Sequence, residues 1–292
     1  MKLSVQRQGE LFITGGTLLW GLLPIFAMIS YSKVSPFTSL SVSCLFSALF
    51  FAFVITVRHR WHELLNKKAV VYALYATFFI GILYYLLYFL SIKFSSPGNI
   101  SILALTEAFF SFLLFHVWRR DYIPRAHIYG ALLILLGAVI VLIPSISSFR
   151  SGDIFILIGS AIAPLGNYFV QKARKLVNTE TIMFVRGTVA SLVIFLLSHL
   201  FHAASSLADV RQSILFLIAN GLLMLGLSTM LWIEGIHRIP VTKANAMSSL
   251  GPLVTLLAAW TIFKTPPTYF QLLAFIPLFF GIILISKKSN AS

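Results

Sequence analysis

Glu107 is the residue whose type and position most strongly suggest chemistry. It lies about ten residues into the apolar run 98–118, which places it ~15 Å from the start of a helix that rises 1.5 Å per residue. A carboxyl group in such a run is costly to keep ionised, and no basic residue lies within one helical turn of it. We therefore expect Glu107 to carry a proton or to face a cationic substrate. The alternative is a protonated side chain that only packs between helices.

Arg186 and several asparagines are the other polar residues within apolar runs. Arg186 follows the start of the run 181–200, so its long side chain either reaches back to the membrane surface or faces a cavity. Asn99 and Asn245 lie near the starts of two other runs. Amide groups at such places hydrogen-bond either to a substrate or to a neighbouring helix.

Aromatic residues accompany these polar groups. Asn167 and Tyr168 follow Pro164 and Gly166, which are residues that loosen a helix beside a site. The second half of the run 69–92 contains three tyrosines, at 84, 85 and 88, which spread around a regular helix so that at most two face one cavity. Such rings serve either as packing or as a binding platform.

The elements that position these residues are membrane-spanning helices. The chain is 59% hydrophobic and only 10% charged, whereas soluble domains contain about 25% charged residues. A spanning helix needs ~20 residues, so the 292 residues hold ten spans and short loops. The predicted spans are 11–31, 37–57, 69–92, 98–118, 126–143, 154–170, 181–200, 214–236, 241–263 and 269–286.

Charge distribution predicts the orientation of these spans. With both termini in the cytoplasm, sixteen of the 22 Lys and Arg residues fall on the cytoplasmic side and five on the other, and Arg186 lies within a span. The net charge of +14 is therefore attributed to membrane orientation and not to a nucleic-acid partner. Cys44 is the only cysteine, which excludes an internal disulfide.

The two halves of the chain resemble each other. The segment that begins at Gly16 corresponds to the one at Gly159, and the segment that begins at Glu107 corresponds to the one at Pro252. Because each half has an odd number of spans, the halves insert in opposite orientations, as in many secondary transporters. We expect two inverted five-helix repeats over 9–143 and 152–286.

Two motifs make the resemblance specific. LLWGLLP over 18–24 resembles the first-helix signature of EamA-type members of the drug/metabolite transporter superfamily, and SSLGPLVTLLAAW over 248–260 looks like the ninth-helix pattern of that family. Arg186 matches an arginine often found early in the seventh helix, whereas Glu107 stands where the family usually has proline and Ser43 where it has arginine.

The resemblance implies an all-α membrane protein that moves a small metabolite by alternating access at a central cavity. Known substrates of the family are amino acids, nucleotide-like metabolites, amines and drugs, and the first, third, fourth, sixth, eighth and ninth helices wall the cavity. The candidate substrate-binding residues are Trp20, Tyr84, Tyr88, Asn99, Glu107, Asn167, Tyr168, Arg186 and Asn245.

Two other classes of protein stay open as alternatives. An intramembrane enzyme would use the Gly226-x-Ser228 pattern with His199 or His237 as its base, and a non-transporting scaffold would use none of these residues. We expect no catalytic residue, metal or cofactor. The expected partners are a small-molecule substrate, a proton or counter-substrate and the lipid bilayer of the cell (inner) membrane, with the chain as a monomer or a homodimer.

Overall fold

A computed structural model describes residues 4–114, 125–147 and 150–286, and this part of the chain is helical and contains no strand. The helices are α1 (Val5–Ser30), α2 (Pro36–Val57), α3 (Lys67–Ala76), α4 (Tyr85–Phe94), α5 (Pro97–Ala104), α6 (Glu107–Phe112), α7 (Arg125–Ser147), α8 (Ser151–Ala173), α9 (Thr179–Leu200), α10 (Leu207–Ile218), α11 (Ser228–Ile236), α12 (Val241–Ser248), α13 (Gly251–Phe263) and α14 (Tyr269–Ser286). A 3₁₀ turn, Trp61–Leu65, follows α2.

Two long helices contain a π-helical segment. Thr77–Tyr84 joins α3 to α4, and Ala219–Leu227 joins α10 to α11. Nine helices of the described residues are long and apolar enough to cross a membrane. Large apolar side chains such as Phe53, Leu196 and Leu200 are exposed on their outer faces, as a lipid-facing surface requires. The prediction of a polytopic all-α membrane protein is confirmed.

The fourth predicted span, 98–118, is not among these nine helices of the described residues. It consists of α5 and α6, which are separated by a turn at Leu105–Thr106. The structure describes this span as far as Leu114, so its end and most of the predicted 119–125 loop lie outside the described residues.

Serine and proline set several helix starts. Ser96 accepts a hydrogen bond from the backbone N–H of Asn99, and Pro97 begins α5, because proline has no N–H and already has the helical φ. Pro240 likewise precedes α12. The two splits predicted at Ser96-Pro97 and Ile239-Pro240 are confirmed.

The main helix contacts correspond when the two halves are exchanged. α2 packs on its equivalent α9, and α7 packs on its equivalent α14. α1 packs on the α10–α11 helix and on α12 and α13, while its equivalent α8 packs on the α3–α4 helix and on α5 and α6. This exchange is what two inverted repeats produce.

Small residues at the α7–α14 contact show the same symmetry in detail. A Cβ added to Gly130 would lie 2.7 Å from the carbonyl oxygen of Gly281, and one added to Gly137 would lie 2.8 Å from that of Ala274. Gly130 is separated from Ala274 by as many residues as Gly137 is from Gly281. Small residues allow this close approach of two helix backbones within a membrane.

The turn at Leu105–Thr106, hereafter the first break, has an equivalent at Ser249–Leu250, the second break. Each break is followed directly by the next helix, so the residue equivalent to Glu107 is Gly251. The alignment of Glu107 with Pro252 was therefore wrong by one position. Pro252 lies in the first turn of α13, one residue further from its break than Glu107 is from the first break.

Candidate functional site

Glu107 begins α6 directly after the first break and points to α8. The Nδ2 atom of Asn167 donates a hydrogen bond of 2.7 Å to the Oε1 atom of Glu107. Both residues are half-buried. The partner of this carboxyl group is thus an amide on the first helix of the other repeat, which leaves its second oxygen for another donor or a proton.

The position of Asn167 depends on the close approach of α8 to the π-helical segment Thr77–Tyr84. A Cβ added to Gly166 would clash with Cγ1 of Ile80, so only glycine fits at this crossing. Pro164, inside α8, is buried one turn before Asn167. Together the small residue and the proline bring the amide of Asn167 to the level of the first break.

Three tyrosines lie where this π-helical segment continues into α4. The ring of Tyr84 lies 5.4 Å from that of Tyr85 and 5.8 Å from that of Tyr88, and all three side chains are buried. Trp20 of α1 approaches the same group, with its ring 6.4 Å from that of Tyr85. Tyr84 is close enough to Glu107 for the two groups to interact electrostatically.

Arg186 of α9 contacts one of these tyrosines, Tyr85. Its Cζ atom lies 5.4 Å from the ring centre of Tyr85, and its Nη2 atom lies 3.4 Å from the Tyr85 hydroxyl. A Cβ added to Gly81 would lie 2.9 Å from Cγ of Arg186, so glycine makes room for the arginine stem. Arg186 therefore points into the bundle and does not extend to the membrane surface.

One acidic and one basic side chain thus flank a group of neighbouring aromatic rings that are tilted against one another. We call this group the central cluster, and it contains six of the nine predicted site residues: Trp20, Tyr84, Tyr88, Glu107, Asn167 and Arg186. Such an arrangement offers a hydrogen-bond acceptor, a cation and aromatic faces to a small molecule.

The other three predicted residues lie elsewhere. Asn99 is buried near the start of α5, where its Oδ1 atom accepts a hydrogen bond of 2.7 Å from Nε2 of Gln271. The ring of Tyr168 lies 4.4 Å from the Nζ atom of Lys172, towards the end of α8. Asn245 is half-buried on α12, one turn before the second break.

Tyr85 is the residue of the cluster that the sequence argument passed over. A regular α-helix would place Tyr84 and Tyr88 on one face and direct Tyr85 away from it. In the structure Tyr85 is nevertheless buried, with its ring 5.4 Å from that of Tyr84, directly after the π-helical segment that ends at Tyr84. Gly81, four residues before Tyr85, was the available signal, because glycine inside an apolar helix often marks a close approach.

The residues of the enzyme alternative do not come together. The hydroxyl of Ser228 donates to the carbonyl of Met224 in its own helix. The Nδ1 atom of His199 lies 3.0 Å from the carbonyl oxygen of Phe195 at the end of α9. His237 is exposed after α11, at the opposite end of the bundle.

Comparison with known proteins gives the family and the fold. Residues 7–143 and 150–287 each match the model of the EamA-like transporter family. The chain is 25% identical over 234 residues to the Uncharacterized transporter YyaM of Bacillus subtilis (strain 168), a match that covers 76% of this chain and 74% of that protein. A solved crystal structure with 18% sequence identity superposes with a TM-score of 0.69 over 96% of each chain, which supports the fold alone.

Proposed function

Since this chain belongs to the EamA-like transporter family, a group of membrane transporters in the drug/metabolite transporter superfamily, we propose that it is a secondary transporter of a small metabolite. The substrate would be an amino acid, a nucleotide-like metabolite, an amine or a drug. It would bind at the central cluster, between the two repeats, and reach each side of the membrane by alternating access.

The observation that carries this proposal is the pair of breaks at equivalent positions, with Glu107 bonded across the repeat boundary at one of them. A continuous helix satisfies its own backbone groups, whereas a break leaves some of them available to a ligand or to water. Transporters with inverted repeats bind their substrates at broken helices between the repeats.

Glu107 and Arg186 have complementary parts in this proposal. The carboxyl group of Glu107 would hold a proton or a cationic group of the substrate, and the guanidinium of Arg186 would hold an anionic group. The rings of Trp20, Tyr84 and Tyr85 would cover the apolar part of the same molecule. A proton or a counter-substrate would supply the driving force.

The membership of a transporter family and the similarity to a protein named as a transporter favour transport over catalysis. The separation of Ser228 from His199 and His237 supports the same choice. A scaffold would not require a carboxyl group beside a break. We therefore propose that the chain is not an enzyme and acts alone or as a homodimer in the inner membrane.

The excess of basic residues supports an orientation with both termini in the cytoplasm. In a Cys44→Ser background, a single cysteine at Lys67 should be protected from an impermeant thiol reagent in intact cells. It should react once the membrane is permeabilised. Reaction at Lys67→Cys in intact cells would reverse the proposed orientation.

The function is tested by flux into proteoliposomes that contain only this chain. Candidate metabolites that raise the melting temperature of the purified protein would be used as substrates. Glu107→Gln keeps the size and the hydrogen bonding of the side chain but removes its titration and charge. We expect flux to fall at least tenfold, which corresponds to about 1.4 kcal/mol, and the pH dependence of flux to weaken.

Glu107→Leu is the companion variant, because it removes both the charge and the hydrogen bond to Asn167. If Glu107 only packs, Gln should transport like the wild type while Leu lowers the melting temperature. Wild-type flux and pH dependence in Glu107→Gln would therefore rule out the transport role of this carboxyl group. Absence of flux for every metabolite that binds the wild-type protein would count against the transporter itself.

A further inference from the structure

At each end of the helix bundle, contacts hold the two repeats together. The contacts at the two ends occupy equivalent positions but differ in chemistry. α2 runs between these ends, and its 22 residues cover ~33 Å at a rise of 1.5 Å per residue. Arg58 follows the last residue of α2, and Phe201 follows the last residue of α9, the helix equivalent to α2. The next residues, His59 and His202, are both left-handed, with φ of 52° and 50°, so the two loops are equivalent in backbone shape.

At the end of the bundle that contains Arg58, the contacts are ionic. The guanidinium of Arg58 pairs with Glu180 at the start of α9 and, at 3.1 Å, with Glu234 of α11. Glu234 also lies 2.7 Å from Arg238. The side chain of Glu180 is only 4% exposed, whereas that of Arg58 is 36% exposed, so the carboxylate of this pair is shielded from water and the guanidinium is not. Lys243 of α12 pairs with Glu10 of α1 at the same end.

The same end is held by a second acidic group. Glu63 accepts hydrogen bonds from the backbone N–H of Asn178 at 2.9 Å, from the Asn178 amide and from the Thr181 hydroxyl at 2.6 Å. Partial burial raises the pKa of Glu63. The hydrogen bonds from Thr181 and Asn178 lower the pKa by more than burial raises it, so the pKa lies below its usual value. Glu63 is therefore ionised at neutral pH. We call these contacts the ionic closure.

At the opposite end, the equivalent positions carry rings and hydroxyl groups. The position equivalent to Glu180 is Phe37, whose ring lies 6.1 Å from that of Phe201. An aromatic pair therefore replaces the Arg58–Glu180 ion pair. We call this contact, together with the hydrogen bonds around it, the aromatic closure.

The hydrogen bonds of the aromatic closure correspond in part to those of Glu63, with Ser205 in its place. Ser205 accepts a bond of 2.8 Å from the backbone N–H of Ser35, and its own N–H donates to the Thr38 hydroxyl at 3.1 Å. Ser35 and Thr38 hold the same positions before and within α2 that Asn178 and Thr181 hold before and within α9. The symmetry thus extends to the hydrogen bond from the backbone N–H before each helix, whereas Thr181 donates its hydroxyl and Thr38 accepts with it.

The third pair of contacts follows the same rule. The Glu10–Lys243 ion pair of the ionic closure corresponds to Asp153 and Asn99, whose Nδ2 atom lies 3.5 Å from an oxygen of Asp153. An amide replaces the lysine ammonium. Three contacts of the ionic closure, those of Glu180, Glu63 and Glu10, thus have a counterpart at the other end, and among these contacts the ones that use Arg or Lys cations belong to the ionic closure.

We propose that the ionic and the aromatic closures are the two alternating gates of the transporter, and that loss of the ion pairs shifts the protein towards opening at the ionic end. This inference rests on the proposed function. In alternating access only one end of the bundle is open at a time. A protein molecule that opens one gate therefore keeps the other closed, and the two open states compete for the same population. A variant that weakens one gate should therefore have opposite effects at the two ends.

The test uses two reporter cysteines in the Cys44→Ser background. Ser248 is the last residue of α12, between the ionic closure and the second break, and Ala104 is the last residue of α5, between the aromatic closure and the first break. Both are half-buried. The purified full chain in detergent is treated with a small thiol reagent, which reaches both ends, and the labelling rates of Ser248→Cys and Ala104→Cys are measured separately.

Arg58→Ala should raise the rate at Ser248→Cys at least threefold and lower the rate at Ala104→Cys. Phe201→Ala, the matched variant at the equivalent position, should do the reverse, and Arg58→Lys should stay close to the parent. General loosening would raise both rates in both variants, and that result, or unchanged rates, would overturn the proposal. The measurement needs no substrate, so a failure here and a failure of the flux experiment are separate outcomes.

Discussion

The first break is followed by Glu107 and the second by Gly251, although the two breaks occupy equivalent places in their repeats. Glu107 reaches Asn167 of α8 through a side-chain hydrogen bond of 2.7 Å. Gly251 instead approaches Gly21 of α1, where an added Cβ would lie 2.7 Å from the Gly251 carbonyl oxygen. One break is therefore bridged by polar side chains and the other by direct contact between backbones.

The two breaks thus differ in what they provide: the first presents polar side chains, and the second allows close packing of two helices. The position equivalent to Gly21 in α8 is Pro164, which has a bulky ring where Gly21 has only hydrogen. Proline and asparagine hold α8 to the first break through side chains, which leaves room for chemistry. Gly21 of α1 and Gly251 of α13 allow close packing of the two helices at the second break, but they provide no titratable group. Although the two repeats have equivalent folds, the titratable group Glu107 is at the first break and has no counterpart at the second.

The largest effect that tests this comparison is expected for Gly21→Ala. The new Cβ would lie 2.7 Å from the Gly251 oxygen and 2.7 Å from Cβ of Val254, and neither atom belongs to a flexible side-chain end. Overpacking of this kind destabilises a protein by about 1–3 kcal/mol. The melting temperature of the detergent-purified protein should fall accordingly.

Gly251→Ala is the matched control, because its new Cβ would meet only Cγ2 of Thr17, at 3.8 Å. Alanine is also the better helix former by about 0.5–1 kcal/mol, so this variant should keep or slightly raise the melting temperature. Equal losses in the two variants would show that the second break is not held by close packing at Gly21.

A smaller effect is expected when the polar bridge at the first break is removed. Asn167→Ala should lower the stability by about 1 kcal/mol, the usual net contribution of one hydrogen bond. The same substitution should cost much less in a Glu107→Leu background, because the partner is already absent. A double-mutant cycle on the melting curves measures this coupling, and additive losses would contradict a stabilising hydrogen bond between Asn167 and Glu107.

Much of this architecture follows from the sequence, because membrane helices are governed by hydrophobic length and charge. The splits at Ser96-Pro97 and Ile239-Pro240 and the two-repeat organisation needed no structure. Glu107 could be singled out for the same reason, since a carboxyl group is conspicuous in an apolar run.

The partners of the site residues could not be predicted in the same way. Tyr85 contacts Arg186 directly after the π-helical segment Thr77–Tyr84, and Gly81 indicated a close approach there without indicating that Arg186 is the partner. Asn99 looked equivalent to Asn167 by residue type, yet it bonds to Gln271 near the end of the bundle. Residue type indicates which groups need a partner, whereas packing decides which partner they find.

Arg186 extends the comparison of the two repeats to a smaller expected effect. Its equivalent in the first repeat is Ser43 of α2, a buried serine. The first repeat therefore supplies the acidic side chain of the central cluster, Glu107, and the second repeat supplies the basic side chain, Arg186. Arg186→Lys keeps the charge but loses the planar group that lies 5.4 Å from the Tyr85 ring. A cation–π contact contributes about 0.5–1 kcal/mol at exposed sites. We therefore expect a two- to fivefold loss of flux at low substrate concentration, since about 1.4 kcal/mol corresponds to a tenfold change.

Tyr85→Phe distinguishes the ring contact from the hydrogen bond. It keeps the aromatic face and removes the hydroxyl, which lies 3.4 Å from Nη2 of Arg186, a long distance for a hydrogen bond. Because the ring is retained, this variant should transport more nearly like the wild type than Arg186→Lys does. A larger loss in Tyr85→Phe than in Arg186→Lys would show that the hydroxyl, and not the ring, positions the arginine that the second repeat contributes to the cluster.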